Sequence, residues 1–482
     1  MTRQYSDTHI HFLSATKVLA LLIASNTATA ETSGFDSLAE MVKGGTASVD
    51  LRYRYEGVDQ DGVEKNADAS TLRSRLTLTT TTLRGFSAQL EFDNITSVLT
   101  DNYNSTTNGN TEYPIVADPE ATDFNQAWLA YDADKWNAKF GRQRIINASQ
   151  RFVGGVAWRQ NEQTYDGLRI QLNPTQSLSV DASYVYNINR IFGPNDGAQP
   201  ADWEGDNIFL RATYNLAEAH SVSGYGYLID VDPQSGYTAG KTVNNSTNTF
   251  GIEYQGKFSE WLGVKAAFAT QSSEGNSELD YDADYYMAEL NASFKPVTLK
   301  IGYEVLGSGE NGNTGGGVGF KTQLATLHLF QGWADKFLAT PANGIEDAYV
   351  GISGKLGPVK VGAFYHDFKA ESLDTQYGTE FDMIATWPVN KQLSLQAKFA
   401  ELGHDLSGEA LDALYREAIA LADVKKELTD ADLLALVDKR AATGSAATIE
   451  LLDWSVASSR GGGSSGRVEI RVNGVEASAE ST

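Results

Sequence analysis

The chain has no cysteine in its 482 residues. That excludes disulfides, thiolate metal sites and cysteine nucleophiles, and says little about compartment. Histidine is scarce: there are six, and His9 and His11 stand near the N-terminus. No set of histidines and carboxylates has the spacing of a zinc or triad site, so catalysis and a bound cofactor are not expected. No internal stretch approaches the ~20 apolar residues that a membrane-crossing helix needs. Basic residues are outnumbered, 38 Lys and Arg against 62 Asp and Glu, for a formal charge of −24. A general nucleic-acid binder would show the opposite balance. Local basic clusters are not excluded.

What is present begins at the N-terminus. Arg3 and Lys17 precede the apolar run Val18-Leu19-Ala20-Leu21-Leu22-Ile23-Ala24, and Ala28-Thr29-Ala30 supplies small residues beyond it. Charge, apolar run and A-x-A in that order define a secretory signal peptide over residues 1–30, with the mature chain starting near Glu31.

From about residue 46 to 400 the dominant period is two. Leu72, Leu76 and Leu78 alternate with Arg73, Arg75, Thr77 and Thr79. Phe86, Ala88, Leu90 and Phe92 alternate with Ser87, Gln89, Glu91 and Asp93. The same holds for Leu178–Tyr186, for Ile208–Tyr214 around Arg211, for Leu262–Phe268 around Lys265, and for Val297–Tyr303 around Lys300. Each such segment is a strand with one face in an apolar medium and one in a polar medium. A soluble sandwich also alternates, but three features favour a membrane barrel. The strands run about 9–12 residues, enough for a tilted bilayer crossing. The polar faces carry charges of both signs, and aromatics such as Tyr131, Trp136, Tyr186, Tyr214, Tyr303 and Trp387 stand toward the ends of apolar faces. Because an open sheet edge cannot face lipid, the expected fold is a closed antiparallel transmembrane β-barrel of about 16–18 strands in the outer membrane of a Gram-negative-type bacterium.

Connections alternate between short (Thr82–Gly85, Leu356-Gly357-Pro358) and long (97–121, 187–205, 231–246, 307–345). Short periplasmic turns and long outer loops give this rhythm. Within the last loop, GSGENG matches the letters of a dinucleotide fingerprint, but no amphipathic helix follows and no nucleotide site is expected. Asp280, Asp282 and Asp284 open like a calcium loop without its later glycine and acid.

Charge is concentrated in residues 141–170, GRQRIINASQRFVGGVAWRQNEQTYDGLRI, which hold Arg142, Arg144, Arg151, Arg159 and Arg169 near Glu162 and Asp166. Arg52, Arg54, Arg73 and Arg75 add to it from the polar faces of upstream strands. Two readings stand side by side. A cationic lumen would admit anions and exclude cations. Alternatively, arginine and carboxylate ladders brace the wall, Glu91 and Asp93 lying beside Arg73 and Arg75. The pore-lining or rim candidates are Arg52, Arg54, Arg73, Arg75, Arg142, Arg144, Arg159, Arg169, Arg211, Lys265 and Lys300. Arg142 and Arg144 alternate out of phase with Lys139, which places them at the rim.

The GRQR–WRQNEQTYDG stretch, YPIVADPEATDFNQAWLAY (113–131) and GWADKFLATPANGIEDAYV (332–350) resemble the bacterial outer-membrane alginate-export-type porin family. The resemblance covers roughly residues 31–400. It implies a monomeric barrel of about eighteen strands, embedded in outer-membrane lipid, that conducts solutes. In some members these are acidic polysaccharides passing an arginine-lined pore. A pore role carries over only to the arginines of the GRQR–WRQ segment. Small or polymeric anionic solutes are the expected partners.

After Phe399 the pattern changes. Ser407 caps a helical pattern of Leu411, Leu414, Tyr415, Ala418 and Leu421, and Thr429 with Asp432 starts a second carrying Leu433, Leu436 and Val437. Strand-like runs at Ala447–Ser458 and Gly466–Val472 follow, with Asn473-Gly474 as a hairpin turn. Residues 401–482 thus read as a small α+β segment of two helices and a β-hairpin. This segment resembles the linker and truncated regulatory domain of 2-isopropylmalate and citramalate synthases, without their catalytic barrel. The expectation is a chimera whose barrel, 31–400, lacks its closing strand. The alternative function is that of a leucine-pathway regulatory or dimerisation module.

Overall fold

The computed structural model describes residues 33–373 and 375–402, together with the backbone of 449–459, 462–472 and 475–481. The chain divides into two units, Met1–Leu402 and Gly403–Thr482. The signal-peptide segment lies outside the described residues.

The first unit opens with a helix that period-two reading does not reveal, α1 (Ser33–Lys43). Its Met41 is buried, and the Met41 carbonyl accepts hydrogen bonds from both the backbone N–H and the hydroxyl of Thr81. Strands follow as β1 (Thr46–Val58), β2 (Ala67–Thr79), β3 (Phe86–Asn102), β4 (Ala121–Ala133), β5 (Trp136–Gln143), β6 (Thr164–Leu172), β7 (Leu178–Asn189), β8 (Asp202–Ala217) and β9 (His220–Ile229). The second half holds β10 (Thr247–Lys257), β11 (Leu262–Ser273), β12 (Asp282–Phe294), β13 (Val297–Leu306), β16 (Ile345–Leu356), β17 (Val359–Lys369), β18 (Gln376–Pro388) and β19 (Ser394–Leu402). Between β13 and β16 the Gly-rich segment makes a two-stranded ribbon, β14 (Ser308–Glu310) with β15 (Gly317–Gly319), and no nucleotide-binding turn.

Apart from that ribbon the strands form one 17-stranded sheet, each antiparallel to its neighbour in sequence. At one end the links are as short as Asp134-Lys135, Glu218-Ala219 and Gly357-Pro358. At the other end lie 103–120, 144–163, 230–246 and 307–344. The odd strand number makes β1 and β19 run in the same direction. Among the described residues β1 pairs with β2 and β19 with β18.

The two faces are the reverse of a soluble protein's. Leu210, Ile252, Phe268, Leu290, Ile301 and Val350 point outward and are about half exposed. Hydrocarbon, not water, is the solvent that tolerates such a surface. Outward aromatic pairs sit at the short-turn end: Tyr131 lies 5.3 Å from Trp136, and Trp261 is stacked 5.6 Å from Phe294. Trp136, Tyr186, Tyr214 and Tyr303 are exposed on the outer face, as the girdle reading expects.

In the second unit β20 (Ile449–Ser459), β21 (Gly462–Val472) and β22 (Val475–Ser481) form a three-stranded antiparallel sheet. The expected hairpin is there, but Val475–Ser481 adds a third strand: the chain doubles back after 473–474 and pairs again. The two helices expected after Ser407 and Thr429 lie outside the described residues.

Candidate functional site: a constriction built by two inward loops

Loops 144–163 and 320–344 touch inward-facing side chains around the whole wall, from β1 and β2 through β12 and β13 to β18 and β19, so they fold inside the barrel. They hold each other by main-chain bonds. Gly154 donates to the Leu324 carbonyl at 2.8 Å, and Thr326 donates to the Gln150 carbonyl at 3.0 Å. Gly154 has no room for a side chain there, because an added Cβ would run into Thr326.

One side of the constriction is apolar. Phe152 at the loop tip packs among Tyr225, Tyr285 and Phe320, with ring centroids at 5.3, 5.3 and 6.0 Å. Tyr165, Phe209, Tyr227 and Leu324 complete this buried cluster. Tyr225, Tyr227 and Tyr285 stand on the inward phase of their strands. Their alternation partners along the strand, Gly226, Leu228 and Tyr286 among them, carry no charge either, so contrast between faces did not single them out.

The other side is ionic. Glu162 is its centre: it accepts from Arg75 at 2.8 Å, pairs with Arg144, and lies 3.6 Å from Arg73. Arg75 also grips Asp93 at 2.6 Å, and Arg73 grips Asp50 at 2.8 Å. Burial alone would raise the Glu162 carboxyl, but Arg144 and Arg75 outweigh it and hold it down at about 2. Arg159 pairs with Glu56 and Asp335, each at 3.1 Å. Arg54 pairs with Glu56 and lies 3.4 Å from Asp118.

The remaining candidates scatter. Arg142 meets Asp166 at 2.9 Å and Asp123 at 3.3 Å. Arg144 does not share that position: it lies just beyond β5, and its guanidinium turns inward to Glu91 and Glu162. Arg169 pairs with Asp181, Arg211 with Glu253, and Lys300 with Glu289, which also faces Lys265 at 3.7 Å. These four lie on the wall away from the loops. Neutralisation therefore dominates the arginine set, in line with the ladder reading.

Arg52 is different. Its guanidinium donates to the backbone carbonyls of Ala157, Trp158 and Arg159 at 2.9, 2.7 and 3.1 Å, and among the described residues it forms no ion pair. Lys398 on β19 is another cation with no ion pair among the described residues, as are Arg190 and Lys321. It donates to His328 at 2.9 Å and lies over the rings of Trp158 and Trp333 at 4.1 and 4.4 Å. Arg54 covers the same Trp158 ring at 4.0 Å. Trp158, His328, Asp335 and Lys398 escaped sequence reading because they come from three distant segments. Beyond the loops a cavity of about 380 Å³ opens, lined by Asp93, Asp123, Arg142, Glu162, Arg190 and Asp202. Its charged lining residues are mostly acidic. Among the described residues no group of three or more His, Asp or Glu side chains is gathered as a metal-ligand set.

A large antiparallel barrel with lipid-compatible outside, charged inside and loops folded into the lumen defines an outer-membrane channel. The sequence profile described as "Alginate export" matches residues 46–299, more than half of the chain, and the chain belongs to that family. Its fold is similar to crystal structures of outer-membrane proteins. Acinetobacter baumannii OccAB2 matches with a TM-score of 0.56 at 13% identity, over 76% of this chain and 94% of that one. Pseudomonas aeruginosa OccD3 (OpdP) matches with a TM-score of 0.54 at 13% identity, over 76% and 88%. Identities this low speak for fold alone. No curated protein matches by sequence. The protein is thus a Gram-negative outer-membrane channel that lets solutes past a lipid-embedded wall.

Proposed function

We infer that the barrel is a passive, non-catalytic channel that favours anionic solutes, with uronate-type saccharides as the substrate class. The observation that supports this is the pairing of unneutralised cations with aromatic rings at the constriction. Arg52 and Lys398 carry charge without a carboxylate partner among the described residues, and Trp158 and Trp333 stand beside Lys398. A sugar packs against indole at Trp333 and along the edge of Trp158, whose faces His328 and Arg54 cover, while its carboxylate meets a cation. The neutralised arginines act as scaffold, and the acidic outer cavity limits the preference to a modest one.

The test is the reversal potential of the reconstituted full chain in planar bilayers under a salt gradient. The expected result is mild anion selectivity, with current blocked by oligouronates and lost selectivity in Lys398→Gln. Cation selectivity, or block by neutral and uronate oligosaccharides alike, would overturn the anionic reading.

A further inference from the structure

We propose that His328 is an acid-sensitive latch: its neutral ring ties residues 328–335 of loop 320–344 to the last strand through Lys398, and protonation breaks that tie and lets this part of the loop shift and widen the constriction.

The bonding pattern fixes the ring's state. Lys398 Nζ lies 2.9 Å from His328 Nε2, and an ammonium only donates, so Nε2 must accept. The proton then sits on Nδ1, which donates to Asp335 Oδ1 at 2.8 Å. His328 is buried, stacked 3.9 Å from Trp158 with an interplanar angle of 7°. One imidazole thus joins three pieces: its own loop, where Asp335 also holds Arg159, loop 144–163 through Trp158, and β19 through Lys398.

Charged groups reach this cluster from each element around it. Lys398 comes from β19, Arg159 from loop 144–163, Arg54 from β1 across the Trp158 ring, Glu380 and Asp382 from β18, and Asp335 from the histidine's own loop. Burial, Lys398 and Arg159 disfavour the imidazolium and Asp335 favours it, and the balance holds His328 below the ordinary histidine range. Adding a proton at Nε2 removes the acceptor Lys398 uses and sets two cations against each other at hydrogen-bond distance. The Asp335 contact survives, because it gains charge. The break therefore falls between loop and strand and not within the loop. The start of this loop stays anchored whatever the ring's charge: Leu324 and Thr326 are bonded to loop 144–163, and Lys321 and Gln323 donate to the carbonyls of Asn244 and Asn245 at 2.7 Å each. Around the histidine itself, Ala334 donates to Glu380 on β18 at 2.7 Å, and Gln331 bridges Arg151 and Glu304.

The latch is independent of solute preference. It is read from pH response, whereas selectivity is read from reversal potential, so either reading can fail alone. The experiment is single-channel recording of the reconstituted full chain from about pH 7.5 to about pH 4.5, a range that spans histidine titration. The parent should show a several-fold rise in conductance or in large conductance steps on acidification. His328→Gln should conduct like the parent at neutral pH and lose the response, since an amide bridges the same neighbours without titrating. Lys398→Glu should reverse the sign, because an imidazolium would then be held by a carboxylate. A parent insensitive to pH would overturn the proposal. So would a response that survives in His328→Gln, which would belong to the neighbouring carboxyls Glu380 and Asp382 on β18, or an unchanged sign in Lys398→Glu.

Discussion

At the scale of the residue, Glu162 does most to set the charge of the lumen. It leaves the wall on loop 144–163 and meets three arginines from β2 and from the start of its own loop, with 4% of its side chain exposed. Breaking such a buried cluster from one side strands the arginines, at a cost of about 3 kcal/mol or more. Glu162→Gln should therefore lower the temperature at which the folded barrel loses its fast migration in semi-native gels, and should shift the reversal potential toward anions. Its carboxyl titrates at about 2 when folded, well below a free glutamate's ~4.3. The stability it contributes is present above the unfolded value and is lost as pH falls from about 4.3 toward 2. Acid unfolding monitored by far-UV circular dichroism should show parent and Glu162→Gln converging across that window.

At the scale of the element, two features can be separated by mutation. The strands rely on their outward face. Ile301 sits mid-strand on β13 and is 59% exposed to what must be lipid. Ile301→Arg should cost about 2–4 kcal/mol in bilayer folding equilibria, whereas substitutions facing the lumen should cost less. A neutral result would mean that this face is not in lipid. The inward loop relies instead on close approach. Gly332 has φ of +78°, and an added Cβ would collide with the Glu380 carboxylate. Gly332→Ala should therefore weaken the seat of loop 320–344 on β18 and raise conductance noise at neutral pH, with strand content by circular dichroism unchanged.

At the scale of the whole molecule, parity is the governing fact. An up-and-down sheet with an odd number of strands cannot close antiparallel, and bacterial barrels of this type use even numbers. Here β1 and β19 run the same way, and each has one partnered edge among the described residues. The lumen side bridges them, since Arg54 of β1 and Lys398 of β19 share the Trp158 ring. Backbone amides of β1 and β19 should exchange with solvent deuterium faster than those of β8 to β12, which are paired on both sides. Equal protection at β1 and β10 would show that β1 has a second partner.

Much of this architecture is legible in the sequence. Each strand meets lipid on one side and water on the other, so the medium writes a period of two into every segment. Leu76 against Arg75, and Ile301 against Lys300, tell their faces without any neighbour. Turn lengths and the nearness of acids to arginines on adjacent strands, as in Arg75 with Asp93, are likewise local matters. The inside of the barrel is different. Phe152 finds Tyr225 and Tyr285, and His328 finds Trp158 and Lys398, only because the sheet curls and two loops turn inward. Arg52 keeps an unpaired charge because the peptide carbonyls of 157–159 reach it before any carboxylate does. Sequence alone therefore determined a membrane barrel with a charged lumen. Tertiary structure decided which charges remain free and what blocks the passage, because those depend on contacts between segments up to hundreds of residues apart, which no local periodicity encodes.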